Sequence, residues 1–148
     1  MTHTGALREF VMAWEGVRLR AYQDSVGIWT IGVGHTEGVE PGDTCTRDEA
    51  MAMLEDDLAS HWQGLEPYLT REPTQQEADA LLSLAFNCGV SAIGESGLMR
   101  CFNGGDDAGV ARRWMMWNRA GGRVVPGLTK RREAELRMYL YGDYDGRP

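Results

Sequence analysis

The sequence predicts a mainly helical α+β domain in which one β-hairpin interrupts a succession of amphipathic helices. Three observations carry that reading. Apolar residues recur at helical spacing in five stretches, two of them opened by a capping box. Only residues 18 to 33 switch to β-branched and aromatic residues around a turn cluster. A chain of 148 residues with 43% hydrophobic content suits a single domain with one core.

In the first helix, residues 5 to 15, Leu7, Phe10, Val11 and Trp14 share one face, and Gly16 ends it. Leu19 to Tyr22 then forms one strand, Asp24-Ser25-Val26-Gly27 a turn, and Ile28 to Val33 the second strand. Alternation puts Trp29, Ile31 and Val33 on one side; Thr30 and Gly32 lie on the other, which reads as the less apolar, half-exposed face. Gly32 and Gly34 mark either a bend or a place where a ligand approaches the backbone. The capping box Thr46 to Glu49 opens a long helix to about Gly64, and Thr74 to Glu77 opens a more hydrophobic one that stops at Gly89. Asp106 or Asp107 caps a helix holding Val110, Trp114 and Trp117, and Thr129 starts the last, through Leu136 and Leu140 to Gly142.

Composition narrows the function. The net charge of −7 is uneven: residues 37 to 79 hold 12 acids and 2 bases, residues 80 to 148 hold 7 acids and 10 bases. An anionic chain of this kind is not expected to bind nucleic acid, whose affinity comes largely from Lys and Arg on phosphates. No apolar run reaches the length that spans a bilayer, and MTHTGALREF lacks the features of a signal peptide, so no stable membrane insertion is expected. Cys45, Cys88 and Cys101 lack metal-ligand spacing and read as reduced structural thiols, although one disulfide plus a free thiol stays open.

Two acids stand out by position. Glu15 falls in the last turn of a helix, where the carbonyl end disfavours negative charge, while Asp24 sits at a polar turn. Environments that hold one carboxyl protonated and the other ionised suit glycosidic bond cleavage, in which an acid protonates the leaving oxygen and a carboxylate activates water or attacks. The Thr30 hydroxyl is placed to hold a water beside Asp24. His35, at the strand end, reads as a structural hydrogen-bonding residue.

These residues carry a resemblance. Eight residues separate Glu15 from Asp24, five separate Asp24 from Thr30, and Thr30-Ile31-Gly32-Val33-Gly34-His35 closes the hairpin. The pattern resembles the active-site motif of the bacteriophage lysozymes, or endolysins, of glycoside hydrolase family 24, in their lambdoid form. Gln76, the stretch Ala80 to Gly89 ending Phe86-Asn87-Cys88-Gly89, Trp117, and Gly127 to Glu135 are also similar to that family. Ser96-Gly97 departs from it, where lambdoid relatives usually show Ser-Thr ahead of a Leu.

The resemblance implies a lysozyme-like fold filling residues 1–148 as a single catalytic domain. Its small lobe would be about 16–60 with the hairpin at 18–34, and its helical lobe about 65–148 plus the N-terminal helix, joined by the Thr46 to Gly64 helix. It implies hydrolysis of the β-1,4 bond between N-acetylmuramic acid and N-acetylglucosamine in peptidoglycan, with inversion and with no metal or cofactor. Glu15 would be the general acid, Asp24 would activate or orient the water, and Thr30 would position it. Inversion calls for carboxyl groups about 6.5 to 9.5 Å apart. Gly34, Thr36, Phe86 and Asn87 are the expected substrate contacts, although Phe86 equally fits a core position. An Arg at the start of the last helix is expected to pair with Glu15, Arg131 first and Arg132 as the alternative; such a pair would oppose the helix-end effect.

Three other readings compete: a lytic transglycosylase, which needs the Glu but no water-activating Asp; a cell-wall-binding module without activity; and a chitin-directed hydrolase. By resemblance the protein would be a monomer held in the host cytoplasm until a holin opens the way to the periplasm and wall. A secreted bacterial toxin would need no signal either.

Overall fold

The computed structural model describes all 148 residues. Seven helices run in the order α1 Gly5–Glu15, α2 Arg47–Leu65, α3 Gln75–Cys88, α4 Val90–Gly94, α5 Gly97–Asn103, α6 Asp107–Trp114 and α7 Pro126–Tyr141. Strands β1 Arg18–Gln23 and β2 Trp29–Gly32 pair antiparallel between α1 and α2, as the residue pattern requires. The mainly helical α+β class is therefore the one expected.

Local chemistry explains the helix boundaries. Thr4 caps α1 by accepting the Leu7 N–H, and Gly16, at φ 77, ends it in a conformation that disfavours residues with a Cβ. Both expected capping boxes are present: Thr46 and Glu49 bond reciprocally at α2, and Thr74 and Glu77 do so at α3. Helix α2 buries Ala50, Leu54, Leu58, Trp62 and Leu65 along one face. Helix α3 is buried on every side from Ala78 to Ala85, which makes it the centre around which α1, α2, α4 and α7 pack. The C-terminal segment folds back over this bundle. Tyr144 donates its hydroxyl to the buried Asp79 at 2.6 Å, and the Gly146 carbonyl accepts the Trp14 indole N–H at 3.2 Å.

The structure corrects several expectations. Helix α6 stops at Trp114 and leaves Trp117 outside it, because the chain turns there toward a second, two-residue hairpin, β3 Arg119–Ala120 with β4 Arg123–Val124. Helix α7 begins at Pro126, three residues before Thr129. Proline is tolerated in a helix's first turn, where its missing N–H has no partner to lose. Leu140 is 38% exposed, and the buried face of α7 is instead Arg131, Arg132, Ala134, Glu135, Met138 and Tyr139. The sequence signalled neither α4 nor α5. Thr30 is not half-exposed: it is 3% exposed, since the hairpin bends over α2 and buries both sides of its second strand.

The two glycines of the hairpin resolve differently. A Cβ on Gly32 would lie 3.3 Å from Met53 Cε and 3.4 Å from Ala50 Cβ, so Gly32 lets the strand rest on α2. Gly34 instead faces Glu15.

Replacing Thr46 by Ala removes the acceptor for the Glu49 N–H and half of the α2 capping box. Urea unfolding should show a loss of about 1 kcal/mol with an unchanged m-value.

Candidate active site

The end of α1 delivers Glu15 to the mouth of a cavity of about 390 Å³. Its walls come from the segment after β2 (Gly34, His35, Thr36, Glu37), from α2 (Asp57, Ser60, His61) and from the end of α3 (Phe86, Asn87). Gly34 is the close neighbour: it holds φ +69, and a Cβ there would stand 3.3 Å from Glu15 Oε1. Glycine is thus needed both for the turn and to leave room for the carboxylate.

The Glu15 side chain is 21% exposed, and its other oxygen, Oε2, accepts from Arg131 Nη1. Arg132 makes no such contact. It turns the other way, donating to Asn87 Oδ1 at 2.7 Å and to the Trp117 carbonyl at 3.1 Å. Both guanidinium groups converge on Glu135, which is wholly buried. Its Oε2 accepts from Ser83 Oγ at 2.6 Å, Arg132 Nη2 at 3.1 Å and Arg131 Nε at 3.3 Å, while Oε1 accepts from Trp114 Nε1 at 3.3 Å. A charged cluster joining α3, α6 and α7 therefore underlies the acid at the end of α1.

Around the cavity the contacts are mostly polar. His35 engages Asp57 Oδ2 through Nδ1 at 2.8 Å and the Glu37 carbonyl through Nε2 at 3.0 Å, tying the segment after the hairpin to α2. His61 bonds the Asp57 carbonyl at 2.6 Å and packs its ring on Phe86, with centroids 4.9 Å apart. No group of three or more His, Cys, Asp and Glu side chains is arranged to hold a metal ion.

Of the residues singled out in the sequence, Glu15, Gly34, His35, Thr36, Phe86 and Asn87 share this cavity; Asp24 and Thr30 do not line it. Asp24 is built into the hairpin turn. Its Oδ1 accepts from the N–H groups of Val26 at 3.0 Å and Ile28 at 2.8 Å, which fixes the plane of the carboxylate. The Thr30 hydroxyl donates to the Ile28 carbonyl at 2.9 Å, so the backbone of Ile28 links the two side chains, and the Thr30 oxygen keeps only acceptor capacity for a water.

Sequence reasoning missed Glu37, Asp57, Ser60, His61 and Glu135. The three α2 positions had a usable signal: 57, 60 and 61 fall at i, i+3 and i+4 beside the apolar stripe. Glu135 falls in the stretch that resembles the family, but nothing there marks it as buried, since it reads as one more acid on a charged helix.

The chain is similar to proteins of one kind. A family model described as phage lysozyme matches residues 12–135. An endolysin of Acyrthosiphon pisum secondary endosymbiont phage 1 is 39% identical over 133 residues, covering 87% of this chain and 91% of the relative. A SAR-endolysin of Enterobacteria phage P21 is 37% identical over 129 residues, covering 86% and 78%. Among solved structures, the endolysin from Escherichia coli O157:H7 phage FAHEc1 superimposes with a TM-score of 0.87 at 30% identity, over 96% of this chain and 95% of that one. The muramidase domain of SpmX from Asticaccaulis excentricus gives 0.86 at 32% identity, over 93% and 96%.

Two outcomes follow from the geometry. Gly34→Ala should lower the unfolding free energy by about 1 to 2 kcal/mol in urea titration, the cost of a Cβ at positive φ. Burial pushes the Cys88 thiol above its ordinary range, outweighing the nearby Arg132. Since only the thiolate is nucleophilic, iodoacetamide at pH 8 should modify Cys88 on the order of tenfold more slowly in the native protein than in urea, as read by peptide mass.

Proposed function

The chain belongs to the phage lysozyme family, and on that premise we propose a division of labour within its cleft. It is a glycoside hydrolase, a muramidase that cuts the β-1,4 bond between N-acetylmuramic acid and N-acetylglucosamine in peptidoglycan, with the lysozyme-like two-lobe fold. The observation that carries the site assignment is the Glu15 carboxyl, which opens on the cavity past Gly34 while Arg131 grips it from behind.

Glu15 is the general acid in this reading: its proton passes to the glycosidic oxygen as the bond to the departing sugar breaks. Asp24 takes a proton from, or orients, the water that attacks the anomeric carbon from the opposite face, and Thr30 accepts a hydrogen bond from that water. The fixed Asp24 plane supports this, because a base must present its free oxygen in a set direction. The Glu15 proton leaves on the hydroxyl of the departing sugar. One proton of the water goes to Asp24 and its hydroxide adds to the anomeric carbon to make the new reducing end, so the two carboxyls exchange states; the single displacement inverts that carbon. Gly34, Thr36, Phe86 and Asn87 contact the glycan. His35 and Arg131 support the site without touching the reacting atoms.

The same proposal takes residues 1–148 as one catalytic domain, with a small lobe at about 16–60 and a helical lobe at about 65–148 together with α1. Helix α2 joins the lobes, and its cleft-facing residues lie between them. It also takes the protein as a monomer that reaches the wall from the host cytoplasm through a holin lesion. No helix is long and apolar enough to cross a membrane by itself.

Turbidity loss of permeabilised Gram-negative cells, followed by mass analysis of purified peptidoglycan digests, tests the assignments. Glu15→Gln should lose about 10³-fold or more in rate while remaining folded, and Asp24→Asn about 10²-fold or more, with wild-type products bearing reducing ends. Products ending in 1,6-anhydro sugars would replace the hydrolase reading with that of a transglycosylase.

A further inference from the structure

We propose that Glu135, remote from the cleft and wholly buried, is a positioning residue that acts on Glu15 through Arg131. It holds that guanidinium in place and offsets the positive charge that Glu15 faces. The inference rests on Glu15 being the general acid.

A single guanidinium bridges the two carboxylates: Arg131 donates through Nη1 to Glu15 Oε2 and through Nε to Glu135 Oε2 at 3.3 Å. Its side chain is 5% exposed, so solvent does little to screen it. Arg132 adds a second permanent positive charge, 0% exposed, with Nε 2.7 Å from Glu135 Oε1. Glu135 alone answers both from within the protein.

An acid catalyst must carry its proton before it can give it up, and uncompensated guanidinium charge favours the carboxylate over the acid. With Glu135 ionised, the two arginines and Glu135 together present one net positive charge toward Glu15. Removing the Glu135 charge leaves two. The other charged or titratable groups around the cavity are His35 and Glu37 from the segment after β2, and Asp57 and His61 from α2. None of them touches Glu135, which is enclosed by Ser83 of α3, Trp114 of α6 and its own helix. Cys88 of α3 stands on the far side of Arg132.

The test is the pH dependence of kcat and of kcat/KM on soluble uncrosslinked glycan strands, with Tm measured alongside. In Glu135→Gln the alkaline limb should move to lower pH by roughly one unit, so that activity at pH 7 falls about tenfold and recovers as the pH is lowered. Glu135→Asp keeps the charge but shortens the reach to Ser83 and Trp114. It should lose Tm while its limb stays near the wild-type position. Arg132→Gln removes a positive charge without touching Glu15, so its limb should move to higher pH; this variant carries the test if Glu135→Gln does not fold. Limbs that stay in place in both Glu135→Gln and Arg132→Gln while Tm falls would overturn the proposal and leave Glu135 a packing residue. Substantial activity in Glu15→Gln, run in the same series, would instead sink the general-acid reading on which the proposal stands.

Discussion

Two guanidinium groups buried beneath a cleft, with one buried carboxylate and one at the cleft edge to answer them, set the constraint on which the rest of the structure depends. Arg131 and Arg132 project from α7, Glu135 from the next turn of the same helix, and Glu15 from the end of α1. Taking such groups out of water costs several kcal/mol per ion, which only close pairing and hydrogen bonding recover. The hydrogen bonds that do so come from outside α7: Ser83 and Asn87 on α3, Trp114 on α6 and the Trp117 carbonyl beyond α6. The cluster therefore specifies how four helices meet, and it places Glu15 at the cleft as a consequence. Loss of one partner would leave a buried charge unmatched.

The hairpin on the other side is set by glycine and by a turn. Gly32 lets the hairpin lie on α2, and Gly34 lets the chain pass Glu15 without striking it. Asp24 closes the hairpin turn with its own side chain, so the geometry that makes the turn also orients the second carboxylate. In the proposed mechanism stability and function share the same bonds here, whereas on α7 they share the same charges.

What was legible in the sequence was local. Helix α1, both capping boxes and the hairpin each draw on neighbours within a few residues, so their spacing reports them directly. Glu15, Gly34, His35, Phe86 and Asn87 share one cavity and all lie in the stretches that resemble the family, and the same resemblance puts Arg131 ahead of Arg132. What was illegible depended on tertiary packing. A period-2 pattern cannot say that α2 will cover the polar face of β2, so Thr30 was expected half-exposed and is buried. Apolar periodicity picks Leu136 and Leu140 for the inner face of α7, but Leu140 is exposed, Leu136 is only partly buried, and the fully buried face carries Arg131, Arg132 and Glu135. Buried charges are invisible to hydropathy, which scores them as exposed, and the contacts that bury them include distant ones: Ser83 lies 52 residues from Glu135 and Glu15 lies 116 from Arg131.

The central claim is that Arg131 and Glu15 are energetically joined across the base of the cleft. A double-mutant cycle in urea-unfolding free energy, built from Glu15→Gln, Arg131→Met and the pair together, measures that join with the separate effects of each change cancelled. The account predicts a coupling of about 1 to 2 kcal/mol, since Arg131 is almost wholly buried and Glu15 only partly exposed. A coupling below about 0.3 kcal/mol, the level of an exposed surface pair, would contradict it.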